Sequence, residues 1–284
     1  MSKIILSADS SCDLSKELIE RYNVKEICPL HITLGEKCYE DGLNIQPDEI
    51  YENFKATGIL PKTSAVNAQE YIDRFKPYVE QGYSVIHVNI GSALSSSYNN
   101  CKIAAEELGN VYPIDSCSLS AGTGHLVIEA AERIAKGMEA EEIAKEVQAL
   151  TEKCSTHFVI DKLDYLRAGG RCSTLAMLGA NLLKLKPCIE VNNADGSMTV
   201  GKKYRGNFEK VLMEYVDEKT TDIDTIKKDR IFIVHAGVNE KYVKMVYDRL
   251  KEKNYFDEIL ILRASCTISS HCGPDTLGIL FMTK

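Results

Sequence analysis

The sequence predicts an α/β protein of two domains, and three observations carry that prediction. Segments rich in β-branched and apolar residues alternate with amphipathic helical patterns, as in folds built on a largely parallel sheet. The 284 residues are enough for two ordinary domains, each with a core of its own. Hydrophobic residues make up 44% and charged residues 26%, the balance of a globular chain and not of a disordered one.

Residues 3–8 read as a strand and residues 14–22 as a helix, with Asp9, Ser10, Ser11 and Asp13 supplying its caps. Residues 24–34 form a second strand, and Pro47–Thr57 a helix with proline at its first position and Gly58 at its stop. Residues 68–81 are helical, kinked or restarted at Pro77 and ended by Gly82. A strongly apolar strand, 83–90, leads through a Ser-rich turn into a helix in which Leu94, Tyr98, Cys101, Ala105 and Leu108 recur at helical spacing. Residues 110–114 add a short strand, 119–136 a helix ended by Gly137, and 139–153 a charged helix. The domain boundary falls there, giving domains 1–152 and 153–284.

The second half opens with a strand at 156–160, a turn-rich stretch at 163–171 and a small-residue helix at 173–183. Residues 187–191 and 198–204 flank Asn192-Asn193-Ala194-Asp195-Gly196, a hairpin by its Asp-Gly turn. Arg230–His235, a helix at 240–253, a strand at 259–262 and Thr276–Met282 complete a βα-containing layer with one antiparallel hairpin.

No stretch approaches the roughly 18 apolar residues of a membrane span, and Asp9 interrupts the opening apolar run before a signal-peptide core forms. A cytoplasmic protein is expected. The ten cysteines include no C-x-x-C pair, so they read as free thiols, many of them buried. The net charge of −7 divides unevenly: residues 1–152 hold 13 Lys and Arg against 24 Asp and Glu, residues 153–284 hold 21 against 17. An acidic chain without an Arg-rich run argues against nucleic-acid binding, and the more basic half suits a phosphorylated ligand or an acidic partner, or is simply a solvated surface.

Gly196-Ser197-Met198-Thr199-Val200-Gly201-Lys202-Lys203 nearly matches a phosphate-binding P-loop, but Lys203 replaces the magnesium-binding hydroxyl and the segment lies on a hairpin. Cys266, His271 and Cys272 lack a fourth ligand and the spacing of a zinc site, so no metal is expected. The signatures of zinc proteases, nucleophile-elbow hydrolases and β-lactamases are absent.

Four polar, small-residue loops remain, at positions where open α/β sheets form their ligand crevice. They are Asp9-Ser10-Ser11-Cys12-Asp13-Leu14, Thr63-Ser64-Ala65, the segment Gly91 to Tyr98, and Ser269-Ser270-His271-Cys272-Gly273-Pro274. Each also has a plainer reading: Ser92 and Ser95 cap a helix, Thr63 and Ser64 follow a Pro-Lys turn, and His271 packs in a core. For the Asp9 loop the capping role is preferred.

Together the loops resemble the DegV family. Asp9-Ser10-Ser11-Cys12-Asp13-Leu14 is similar to its D-S-x-x-D-L, Thr63-Ser64 to its T-S loop, and Ser92-Ala93-Leu94-Ser95-Ser96-Ser97-Tyr98 to its S-x-L-S-G-T-Y turn. Leu163 to Arg171 resembles L-x-Y-L-x-x-G-G-R, followed by Lys186-Pro187, and His271-Cys272-Gly273-Pro274 matches H-x-G-P. Two departures stand out. Ser96 takes the place of a glycine and is expected to crowd its turn, and Ala65-Val66 replaces the usual Q-P.

The resemblance implies an N-terminal three-layer α/β/α domain with a mainly parallel sheet and a C-terminal two-layer α/β domain with a mixed sheet. It implies a long-chain fatty acid held between them as ligand, with no cofactor and with transient membrane contact allowed. Thr63, Ser64, Ser95, Ser96 and His271 would bind the carboxylate, since a carboxylate removed from water needs several donors. The helix after the Ser95 turn would add its positive end. Burying each methylene is favourable by about 0.8 kcal/mol, so the tail supplies most of the affinity. Leu175, Ala176, Leu178, Gly179, Leu182 and Leu183 are the expected tunnel wall, unless that helix is ordinary core.

Family likeness further implies a non-catalytic subunit that presents the fatty acid to a separate ATP-dependent fatty acid kinase, which forms an acyl phosphate for lipid synthesis. Arg171 would then face the transferred phosphate, or else form a structural salt bridge, and Lys184, Lys186, Lys202, Lys203 and Arg205 would assist docking. Two other classes stay open: a self-sufficient hydrolase using Ser95 with His271 as base, and a regulatory interaction protein without lipid.

Overall fold

The computed structural model describes residues 3–172, 174 and 185–284. In chain order the first half runs β1 (Ile4–Asp9), α1 (Lys16–Arg21), β2 (Val24–Cys28), β3 (His31–Leu34), β4 (Lys37–Glu40), α2 (Pro47–Thr57), β5 (Lys62–Ser64), α3 (Ala68–Glu80), β6 (Ser84–Asn89), α4 (Ser97–Leu108), β7 (Val111–Asp115), α5 (Ala121–Ala135) and α6 (Ala140–Ala149). The second half runs β8 (Cys154–Ser155), β9 (His157–Ile160), α7 (Asp164–Gly169), β10 (Leu185–Val191), β11 (Met198–Arg205), α8 (Phe208–Lys219), β12 (Arg230–His235), α9 (Glu240–Glu252), β13 (Glu258–Arg263), α10 (Cys266–Cys272) and β14 (Thr276–Met282).

The expected α/β class holds, with a parallel sheet in the N-terminal part and a mixed one in the C-terminal part. Strands β2-β1-β6-β7 form a four-stranded parallel sheet in that order. Its central strands are apolar on both faces, with Ile5, Leu6, Ala8, Val85, Ile86 and Val88 all buried, as a sheet covered on both sides requires. Helices α3 and α4 pack on each other and on β6, and α5 and α6 pack on each other and on that strand as well. The second sheet has the order β11-β10-β9-β14-β12-β13, with β8 also paired to β14, and only β12 and β13 run parallel.

Alternation along β12 and β14 makes the second sheet a partition between two cores. Ile231, Ile233, Leu277 and Ile279 face α8 and α9, whereas Phe232, Val234 and Leu280 face the core shared with the first half. Helix α5 is buried from Ala121 to Ala131 because it lies between the sheets, packing on β1 and β6 and also on β14. The ring of its His125 packs against Phe232 with centroids 4.5 Å apart and planes tilted by 56°, and its Nε2 donates to the Leu280 carbonyl at 3.2 Å. The expectation of one core per half is thus amended: one core is confined to the second half, and the largest spans both.

Several local expectations need correction. The strand expected at 24–34 breaks at Pro29, which has no N–H to give a ladder; β2 stays in the parallel sheet while β3 joins a small antiparallel sheet, β4-β3-β5. Helix α3 runs through Pro77 without restarting. Asp9 and Asp13 do not cap α1: Ser15 does, while Asp9 is fully buried and Asp13 accepts from Ser120 Oγ at 2.5 Å and Ser265 N at 2.9 Å. Helix α8 is absent from the sequence reading, and the loop expected around His271 is the helix α10. The helix expected at 173–183, with the wall residues assigned to it, and Lys184 lie outside the described residues except for Thr174.

Candidate functional site

A cavity of about 270 Å³ opens at the C-terminal ends of the parallel strands, where Leu30 follows β2 and Ile90 follows β6. All six site residues expected from sequence line it: Thr63, Ser64, Ser95, Ser96, Arg171 and His271. Four different segments supply them. The rest of the wall is mainly apolar, with Leu94, Leu119, Phe158, Leu166, Met198 and Ile268.

Thr63 is placed by β5, which pairs Thr63 with Ile32 of β3. His271 comes from the last turn of α10, whose first turn is fixed by Asp41: its Oδ1 accepts from Cys266 N at 2.8 Å and its Oδ2 from Thr267 N at 3.0 Å. Ser265 adds the N-cap by accepting from Ile268 N. This brings Thr63 Oγ1 and His271 Nε2 to 2.8 Å, a hydrogen bond. Burial, reinforced by the nearby Arg171, pushes His271 down to about 4, so the imidazole is neutral at neutral pH.

The C-terminus of α7 closes over the imidazole. A side chain on Gly169 would put its Cβ 2.3 Å from His271 Nδ1, so only glycine permits the approach. Arg171 follows, exposed at the cavity, with Nη1 donating to the Gly169 carbonyl at 2.6 Å. Among the described residues no carboxylate pairs with it, and the salt bridge considered for it is not formed.

The Ser95 turn rests on Gly91, whose N–H donates to the Ser118 carbonyl at 2.8 Å and whose missing Cβ would lie 2.9 Å from Ser118 N. Ser95 Oγ bonds Ser97 Oγ at 2.9 Å and accepts from Ser97 N, so Ser95 faces the cavity while its hydroxyl organises the start of α4. Ser96, expected to crowd the turn, has an ordinary right-handed backbone with φ −77° and carries its side chain without strain. Val66 is buried, and its carbonyl accepts from Asn100 Nδ2, which ties the Thr63 segment to α4.

Asp9 does not reach the cavity. It is the centre of a buried network: its carboxylate accepts from Tyr71 OH at 2.6 Å, Asn89 Nδ2 at 3.3 Å and Ile90 N at 2.9 Å, and its Oδ1 lies 3.1 Å from His87 Nε2. It thereby fixes the end of β6 from which the Ser95 turn departs. Cys266 and Cys272 point at backbone carbonyls of Ile45 and Ile268, and among the described residues no three His, Cys, Asp or Glu side chains converge on a metal position. Of the expected docking cations, Lys186 is paired with Asp161 and Lys202 with Glu214 and Glu218, while Lys203 and Arg205 are exposed on β11. Thr267 and Phe158 line the cavity and were not expected; nothing in their local sequence marks them, because the fold brings them there.

Among the described residues no helix is long and apolar enough to cross a membrane. The sequence matches the model of the DegV family of uncharacterised proteins over residues 3–284. A DegV domain-containing protein of Clostridium perfringens is 31% identical over 286 residues, covering 100% of both chains. A DegV family protein of Thermus thermophilus, described as binding fatty acid, superposes with a TM-score of 0.90 at 26% identity, over 99% of this chain and 100% of the other. The Fatty Acid Kinase (Fak) B3 protein of Streptococcus pneumoniae, solved loaded with linoleic acid, shares the fold with a TM-score of 0.83 at 24% identity, over 99% and 100% of the two chains. This chain therefore belongs to the DegV family.

Proposed function

We propose that this chain binds one long-chain fatty acid, with its carboxylate at Thr63, Ser64, Ser95, Ser96 and His271 and its tail in the apolar part of the cavity. One observation carries the reading: a largely apolar cavity has a hydrogen-bonded Thr63–His271 pair in its wall, with serines and Arg171 beside it. Hydroxyls and a neutral imidazole can donate to a carboxylate without placing a second charge in the site. The Thermus thermophilus relative binds a ligand of this class. A second void, lined in part by Val234, Gly278 and Leu280, shares Leu119, Phe158, Ile268 and Cys272 with the cavity and offers the tail a path toward the second sheet.

The protein acts as a non-catalytic subunit in the cytoplasm, handing the bound acid to a separate ATP-dependent kinase that forms an acyl phosphate for phospholipid synthesis. Arg171 offsets the charge of the phosphorylated product, and Lys203 and Arg205 help to dock the kinase. Ester hydrolysis is disfavoured by the geometry: Ser95 Oγ bonds Ser97 and not His271, and His271 Nδ1 has no partner among the described residues to orient it. Titration of delipidated protein with a fatty acid and the fatty alcohol of equal length tests the proposal. Tighter binding of the acid is expected; equal affinity for the two would remove the carboxylate site.

A further inference from the structure

Thr267 stands four residues before His271 on α10, and it too lines the cavity. Residues four apart share one helix face, about 6 Å apart along the axis, so Thr267 and His271 line the cavity one helical turn apart. Thr267 is only 3% exposed. Its backbone N–H is taken by Asp41, but its hydroxyl has no hydrogen-bond partner among the described residues. Leu30, Ile90 and Ile268, which also line the cavity, are apolar.

An unbranched acyl chain laid against this wall leaves the hydroxyl unpaired, and an unpaired buried hydroxyl is a cost that valine, of nearly the same shape, does not carry. A site that presents a hydroxyl to its ligand discriminates for ligands that answer it with a polar atom. We propose that Thr267 is a specificity-determining residue, and that the site selects fatty acids bearing a hydroxyl or oxo group a few carbons from the carboxyl end. The position follows from the single helical turn between Thr267 and His271. The inference rests on the fatty-acid reading above and narrows it to an oxygenated class.

The test compares delipidated wild-type, Thr267→Val and Thr267→Ser proteins. Each is titrated with palmitic acid, its 3-hydroxy and 5-hydroxy derivatives, stearic acid and 12-hydroxystearic acid. The wild type is expected to bind at least one of the two near-carboxyl hydroxy acids about threefold to tenfold more tightly than palmitic acid, the worth of one net hydrogen bond. Thr267→Val should reverse that preference by tightening palmitic acid and weakening the hydroxy acid, Thr267→Ser should keep it, and 12-hydroxystearic acid should gain nothing over stearic acid in any variant. Equal weakening of all five acids by Thr267→Val would show that Thr267 serves the carboxylate or the fold and would overturn the inference, as would a wild type that does not discriminate. Failure of every acid to bind would remove the fatty-acid reading itself.

Discussion

At the scale of single residues, Thr63, Ser95 and His271 line one cavity, and the proposed function has them act on one carboxylate. Removing each donor, as Thr63→Val, Ser95→Ala or His271→Ala, is expected to weaken fatty-acid binding by about 1–3 kcal/mol, the range for a charge-assisted hydrogen bond. The matched fatty alcohol should be less sensitive, and calorimetric titration of both ligands reads the difference. Gly169→Ala should act on the same site from the other side. Its Cβ would meet His271 Nδ1 at 2.3 Å, so either the ring or α7 must move. A stability loss of about 1–3 kcal/mol is expected from such overpacking, together with weaker acid binding, measured by denaturant unfolding and titration. Arg171→Ala should separate binding from presentation. A monoanionic carboxylate has neutral donors in the pocket, whereas the phosphorylated product brings additional charge that needs a cation. The variant should bind fatty acid nearly as wild type yet support little acyl-phosphate formation with a cognate kinase and ATP; unchanged kinase-dependent turnover would leave Arg171 without that role.

At the scale of elements, what the sequence discloses depends on whether an element has two different faces. Helix α2 is legible because Pro47 and Gly58 bracket it, and β6 because an apolar run between turns leaves no other reading. Helix α8, absent from the sequence reading, carries an equally legible pattern: Phe208, Val211, Leu212, Tyr215 and Val216 fall at the spacing of one buried face, behind the cap Asn207. Helix α10 shows no such pattern, because Cys266, Thr267, Ile268, Ser269 and Ser270 are all buried and no polar face remains to set a period. Strands β4 and β5 are short and largely exposed, and they exist only because β3 pairs with them. The six expected site residues could be picked out from sequence, but the backbone N–H donations from Cys266 and Thr267 to the Asp41 carboxylate that order α10 join residues 225 or more apart and could not. Asp41→Ala is therefore expected to cost about 0.5–2 kcal/mol as a lost cap and to weaken fatty-acid binding by loosening the helix that carries His271, both readable by denaturant titration and ligand titration.

At the scale of the whole molecule, four histidines held neutral by burial in different parts of the fold couple stability to pH. Burial, with Arg230 adding to it, pushes His125 down to about 3, burial and Arg171 push His271 to about 4, and burial with Arg263 pushes His235 to about 4. His157 is likewise pushed well below its ordinary value by burial. In the unfolded chain these rings take up protons near pH 6.5, while in the folded protein His125, His235 and His271 stay neutral until about pH 4 or lower and His157 shifts in the same direction, so the unfolded state gains stability on acidification. Asp13 opposes this: burial raises its carboxyl to about 7, and its contribution is present at low pH and lost as pH rises through that value. Four histidines outweigh one carboxyl. Stability should be highest above about pH 6.5 and fall toward pH 4, with His125 and His271 each contributing a slope of up to about 1.4 kcal/mol per pH unit; urea unfolding across that range measures it.

The central claim, a cavity built for one acyl chain with its carboxylate at Thr63 and His271, is tested most directly by mass spectrometry of the lipid released when the purified protein is denatured. A tail enclosed in the cavity dissociates slowly and survives purification. The account predicts about one long-chain fatty acid per chain from the wild type and much less from the Thr63→Val, His271→Ala double variant, provided the variant remains folded. Repeated preparations with no fatty acid, together with no binding when the acid is added back at micromolar concentration, would contradict it.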